Sequence, residues 1–138
     1  MASFISRSVE ETIAFARARA AALQPNDVVA LCGDLGAGKT HFVKGLVAGC
    51  GSDEPVTSPT FTLLHEYRGG RLPVFHFDFY RIAQRAEIEQ LGFDELLNEG
   101  GVAVIEWADR FPELLPSRTR WIWISATSEG ERFVAENE

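Results

Sequence analysis

Val28-Val29-Ala30-Leu31-Cys32-Gly33-Asp34-Leu35-Gly36-Ala37-Gly38-Lys39-Thr40 is the stretch that decides the fold. Val28 to Cys32 is short and wholly apolar, and Pro25-Asn26-Asp27 precede it as turn residues. That is how a buried parallel strand reads. After the glycines, His41 to Ala48 reads as a helix that stops at Gly49-Cys50-Gly51. Glycine at 33, 36 and 38 lets the backbone curl, so that successive N–H groups point at one centre. The helix start adds its partial positive charge at the same place. Strand, then Gly, four residues and Gly-Lys-Thr, then helix is the pattern of a phosphate-binding P-loop. Lys39 is expected to reach the β- and γ-phosphates of ATP, and the Thr40 hydroxyl to ligate Mg²⁺. The fixed positions would match by chance in well under about one chain in a hundred of this length.

Such a loop needs a carboxylate at the end of a neighbouring strand. Two strands offer one. Val102 to Ile105 is a continuous apolar run ending in Glu106, while Val74 to Asp78 alternates apolar and polar residues and reads as half exposed. The sequence therefore favours Glu106 for the metal and Asp78 for orienting water or organising the metal shell. A solvated carboxylate at a strand end is the plain alternative for either. Between the P-loop helix and the next strand lies Thr57-Ser58-Pro59-Thr60-Phe61-Thr62. Thr60, with Thr57 next, stands where nucleotide switches place a segment ordered by the γ-phosphate and its metal. An ordinary Ser/Thr turn around Pro59 explains the same residues equally well. Trp107 reads either as a stacking platform or as a structural aromatic. His41 and His76 have no metal-ligand companions at a sensible spacing.

Working outward, Ser8 and Glu11 form a capping-box pattern ahead of an Ala-rich helix. Leu63 to Tyr67 and Leu72 to Tyr80 read as strands joined by a turn at Arg68-Gly69-Gly70-Arg71. Ile82 to Leu91 and Asp94 to Leu97 have helical character. Trp121 to Ser125 and Arg132 to Ala135 read as a closing hairpin around Glu129-Gly130. The expected architecture is one α/β P-loop NTPase domain over residues 1–138, a mostly parallel sheet flanked by helices with a C-terminal antiparallel hairpin.

The 138 residues carry a net charge of −7, with 13 Lys and Arg against 20 Asp and Glu. That balance argues against independent binding to nucleic acid, which needs clustered cations. Cys32 and Cys50 read as buried small hydrophobes of a reducing compartment. With no signal peptide and no apolar run of membrane-spanning length, the expected location is the cytoplasm.

Taken together, the loop Gly33 to Thr40, Ser58-Pro59-Thr60-Phe61-Thr62-Leu63, His76-Phe77-Asp78-Phe79-Tyr80-Arg81, Leu91-Gly92-Phe93 and Ile105-Glu106-Trp107 resemble the TsaE family in the family's own order. These ATPases serve the synthesis of threonylcarbamoyl-adenosine in tRNA. The resemblance implies an ATPase acting with a TsaB–TsaD pair, which meets tRNA only through those partners, and no membrane association. It assigns Gly36, Ala37, Gly38, Lys39 and Thr40 to the phosphates, Thr40 and Glu106 to Mg²⁺, and Asp78 to hydrolysis. It brings the helix start, Ser8 to Glu11, toward the adenine. His41 departs from the small hydroxyl residue usual after the Walker Thr, which leaves its backbone N–H as the contact. Two other readings compete. A small-molecule kinase would need an Arg-bearing lid and an acceptor pocket, yet Gly51 to Leu63 contains no Arg or Lys. A GTPase switch would need an Asn-Lys-x-Asp segment, which the chain lacks.

Overall fold

The computed structural model describes every residue except Met1, Leu35, Ser58, Thr60, Phe61, Glu129 and Glu138. Its elements are β1 (Ala2–Ser6), α1 (Val9–Ala20), β2 (Val28–Cys32), α2 (Lys39–Gly49), β3 (Leu64–Tyr67), β4 (Val74–Asp78), α3 (Arg85–Gln90), α4 (Phe93–Leu96), β5 (Val102–Glu106), β6 (Arg120–Ser128) and β7 (Glu131–Asn137). The strands form one seven-stranded sheet in the order β1-β7-β6-β2-β5-β4-β3.

Pairing is parallel across β6-β2-β5-β4 and antiparallel at both flanks, where β1 meets β7, β7 meets β6, and β4 meets β3. The expectation of a mostly parallel sheet is therefore corrected to a mixed one. The sequence reading missed β1 because Ala2 to Ser6 offers only Phe4-Ile5 as an apolar pair, with no alternation to mark a strand. It forms because its partner, β7, lies at the far end of the chain, with Phe4 opposite Val134. The C-terminal hairpin is present, and β6 carries a bulge between Ala126 and Ser128.

Strands β2, β5 and β4 bury both faces, as central strands covered by helices must. Val29, Leu31, Val102 and Val104 pack with Ala16, Ala20, Phe42, Val43 and Leu46 beneath α1 and α2. Val28, Ala30, Phe75, Phe77 and Ile105 pack on the other side with Ile88, Phe93 and Leu97 of the α3–α4 region. Helix α1 starts at Ser8, whose hydroxyl accepts from the Glu11 N–H, while the Glu11 carboxylate accepts from the Arg7 N–H. Helices α1 and α2 approach closely because Gly45 and Gly49 face Ala16 and Ala20. This contact fixes α2, and with it the residues at its start.

Candidate functional site at the carboxyl ends of the parallel strands

The site begins where β2 ends. Gly33 has φ +146 and runs so close to the Ile124 carbonyl of β6 that any Cβ would collide with it. Gly36 and Gly38 hold φ +80 and +106, the left-handed region that glycine enters freely. Gly38 is the N-cap of α2 and no side chain caps that end, so the first-turn N–H groups lack a side-chain acceptor. From the opposite edge, Arg132 of β7 donates through Nε to the Ala37 carbonyl at 3.0 Å and through Nη2 to the Gly36 carbonyl at 3.3 Å. The Gly36 and Ala37 carbonyls are thus held toward β7.

Lys39 is only 5% exposed. Its ammonium donates to the carbonyls of Gly33 at 2.7 Å and Asp34 at 2.9 Å, and lies 4.0 Å from the centre of the Trp107 ring. Burial pushes its pKa below the ordinary lysine value, opposed by the nearby charges of Glu106, Asp78, Asp109 and Asp34. Thr40, next along α2, donates its hydroxyl to Glu106, with both carboxylate oxygens at 3.2 Å.

Glu106 and Asp78 end the adjacent parallel strands β5 and β4 and lie opposite one another in register. They are 4% and 5% exposed. The half-exposed reading of β4 is corrected, since all five of its residues are buried. The alternation was real, but its polar side faces the site instead of solvent: Phe75 and Phe77 enter the apolar layer, while His76 and Asp78 turn toward α2. His76, which has no companion at ligand spacing in the sequence, gains partners in the fold. It is fully buried, with Nε2 2.6 Å from Glu106 Oε2 and Nδ1 3.2 Å from the Tyr67 hydroxyl.

Trp107 takes a left-handed conformation, φ +59, immediately after Glu106, and its ring centre is 4.8 Å from that of Tyr80. A non-glycine residue held there costs on the order of 1 kcal/mol or more, a strain typical of sites. Lys39, Thr40, His41, Asp78, Glu106 and Trp107, together with Gly36, Gly38, Tyr80 and Arg81, line one open cleft of about 560 Å³. Ala37 is buried beneath the loop and does not line it. A second hollow of about 220 Å³ lies beyond Gly36, Gly38 and His41, against Ser8, Val9 and Thr12 of the α1 start and Arg132. Thr57 is exposed and its carbonyl accepts from the Tyr67 hydroxyl at 3.3 Å, whereas Thr60 lies outside the described residues.

Nothing in the sequence assigned a site role to Tyr80, Arg81, Tyr67 or Arg132. For Tyr80 and Arg81 a signal existed, since they directly follow a strand ending in an acid. Arg132 gave none, because it reaches the loop only through the pairing of β7. Both cysteines are buried and free. Burial, reinforced by the Asp109 charge, pushes the Cys32 thiol up to about 12, and burial raises Cys50 as well. Neither is a nucleophile at neutral pH.

The oxygen donors of Thr40 and Glu106, with Asp78 adjacent, suit a small hard cation such as Mg²⁺, which takes one or two carboxylates and completes its shell with phosphate and water. Among the described residues no group of three His, Cys, Asp or Glu side chains is placed to hold a metal, so a cation here would lean on oxygens of a bound ligand.

Fold and cleft define a class: α/β domains whose site opens at the carboxyl ends of parallel strands, between a glycine-rich turn and a helix start. Within that class the chain belongs to the TsaE family, described as Threonylcarbamoyl adenosine biosynthesis protein TsaE, whose match spans residues 6–134. It is 46% identical over 123 residues to the tRNA threonylcarbamoyladenosine biosynthesis protein TsaE of Bacillus subtilis, covering 89% of this chain and 77% of that one. The protein of the same description from Treponema pallidum is 42% identical, covering 93% and 94%. The crystal structure of the Bacillus YdiB protein superposes with a TM-score of 0.83 at 38% identity, covering 96% of this chain and 82% of that one. The chain is thus a component of tRNA threonylcarbamoyladenosine biosynthesis. Among the described residues no helix is long and apolar enough to cross a membrane.

Proposed function

We propose that the protein is a Mg²⁺-dependent ATPase whose turnover is coupled to a TsaB–TsaD complex during threonylcarbamoyladenosine synthesis. One observation carries this reading. A lysine and a threonine at an uncapped helix start face two buried carboxylates across a cleft bounded by left-handed glycines.

The loop N–H groups and Lys39 bind the phosphates as in other P-loop proteins. Thr40 and Glu106 would hold Mg²⁺, which would neutralise charge on the phosphates. Lys39 then exchanges its two carbonyl partners for phosphate oxygens, a stronger charge-assisted pairing that also relieves the penalty of burying its ammonium. Asp78, fixed through Oδ1 by the Tyr80 N–H at 2.9 Å, orients the attacking water. The second hollow takes the nucleoside end, against the α1 start. The acidic surface agrees with contact to tRNA through partner proteins only, and a cytoplasmic location follows from that role.

Calorimetric titration of the purified protein with ATP and GTP, each with Mg²⁺ and with EDTA, tests the site. Micromolar binding of ATP that Mg²⁺ strengthens supports the reading. No binding, or a preference for GTP, contradicts it.

A further inference from the structure

Behind the two carboxylates lies a set of polar side chains that the proposed reaction does not use. His76 has no exposed surface and Tyr67 only 3%. From Thr40 the contacts run to Glu106, then to His76 at 2.6 Å, then to the Tyr67 hydroxyl at 3.2 Å, and end on the Thr57 carbonyl at 3.3 Å. His65 Nδ1 flanks the same hydroxyl at 3.3 Å. The network spans β5, β4 and β3 because His76 stands opposite His65, and Val74 opposite Tyr67, in the β3–β4 register. It then leaves the sheet for the stretch between α2 and β3, where Thr57 sits.

The donor inventory restricts how this network is wired. A carboxylate only accepts, so the ring nitrogen facing Glu106, Nε2, carries a hydrogen. In the neutral ring Nδ1 is then an acceptor, and the hydroxyl is its donor. That hydroxyl has one hydrogen, for which His76 Nδ1 and the Thr57 carbonyl compete, while His65 Nδ1 accepts from it or donates to it according to its tautomer. Burial raises the Tyr67 pKa, which keeps the phenol a donor. Apart from His76, Asp78 and Glu106, every buried position on β2, β4 and β5 is apolar, so a polar ring at 76 needs partners to offset its burial, and it has them in Glu106 and Tyr67. A histidine there serves the one charged group it touches.

We infer that His76 and Tyr67 are positioning residues: His76 holds the Glu106 carboxylate beside Thr40, and Tyr67 ties that alignment to the backbone at Thr57. The inference rests on the reading of the cleft as a Mg²⁺–nucleotide site. Movement of the Thr57 stretch frees the Tyr67 hydrogen for His76 and alters the hold on Glu106. Conversely, a cation that draws Glu106 changes the demand on Tyr67 and hence on Thr57.

The test is the factor by which Mg²⁺ tightens binding of a non-hydrolysable ATP analogue, measured by calorimetry in wild type, His76→Leu, His76→Gln and Tyr67→Phe, with melting temperatures alongside. Partners that orient a ligating carboxylate typically contribute about 10–100-fold to metal affinity. His76→Leu should therefore shrink the Mg²⁺ factor by about that much. His76→Gln, which keeps an N–H donor near the Nε2 position, should recover much of the loss. Tyr67→Phe, which removes one oxygen and preserves the ring, should shrink the factor by roughly 3–10-fold. A purely structural role would lower the melting temperature and leave the Mg²⁺ factor unchanged, and that result overturns the inference. Should His76→Leu fail to fold, Tyr67→Phe decides alone. Absence of a Mg²⁺ effect in wild type overturns the cleft assignment and the inference together, whereas a wild-type effect unaltered in the variants overturns only the inference.

Discussion

Replacing Gly45 by Ala sets two effects of opposite sign against each other. In an isolated helix the change would stabilise α2 by about 1 kcal/mol through propensity alone. In this fold the added Cβ would stand 2.6 Å from the Ala16 Cβ and 3.0 Å from the Arg17 nitrogen, with the Ile13 carbonyl closer still. Ordinary contact begins near 3.4 Å, so the Ala16 contact alone would force α1 and α2 apart by about 0.8 Å, and the closer Ile13 carbonyl by more. Backbone is the main obstacle, and no rotamer change can relieve it. Overpacking of this kind costs about 1–3 kcal/mol, toward the upper end where backbone must move. The net expectation is a loss of about 1–2 kcal/mol, which lowers the melting temperature by roughly 3–8 °C. Since α2 begins with Lys39 and Thr40, nucleotide affinity should fall in the same variant. Thermal and urea denaturation of Gly45→Ala, read with nucleotide titration, measures both. A variant more stable than wild type would refute the close approach of α1 and α2 on which the placement of the site depends.

Other outcomes follow from the cleft. Lys39→Ala should weaken nucleotide binding by at least about 100-fold in calorimetry, the loss of two or more charge-assisted contacts. Because burial lowers the Lys39 pKa from 10.5, the free protein loses that charge earlier than an exposed lysine as pH rises. Bound phosphate favours the charged form, so nucleotide affinity should be level below the depressed pKa and decline above it, with the fall beginning below pH 10.5. A pH titration of the dissociation constant reads this, and a flat profile contradicts it. Glu106→Gln should reduce the Mg²⁺ dependence of binding, while Asp78→Asn should spare binding and slow hydrolysis by about 100-fold or more. If Asp78→Asn alters Mg²⁺ dependence and Glu106→Gln does not, their roles are exchanged.

What the sequence disclosed was local in origin. Val28 to Cys32, the glycines, Lys39-Thr40 and the run ending in Glu106 each announce themselves within a dozen residues, through apolar continuity or fixed spacing. What stayed hidden depends on register between distant strands. β1 is a strand only because Val134 and its neighbours pair with it, and Arg132 reaches the loop only because β7 lies where it does. His76 was dismissed for want of a nearby companion, yet Glu106, thirty positions on, touches it once β4 and β5 are aligned. The burial of β4 stayed hidden for the same reason, because alternation tells which residues share a face and says nothing of what covers that face.

The most direct measurement is Mg²⁺-dependent hydrolysis of ATP by the purified protein, alone and with a TsaB–TsaD pair from the same source, with GTP in parallel. The account predicts slow ATP turnover that rises when the pair is added and is lost in Lys39→Ala. Fast turnover indifferent to the pair, no turnover in its presence, or preference for GTP would contradict it.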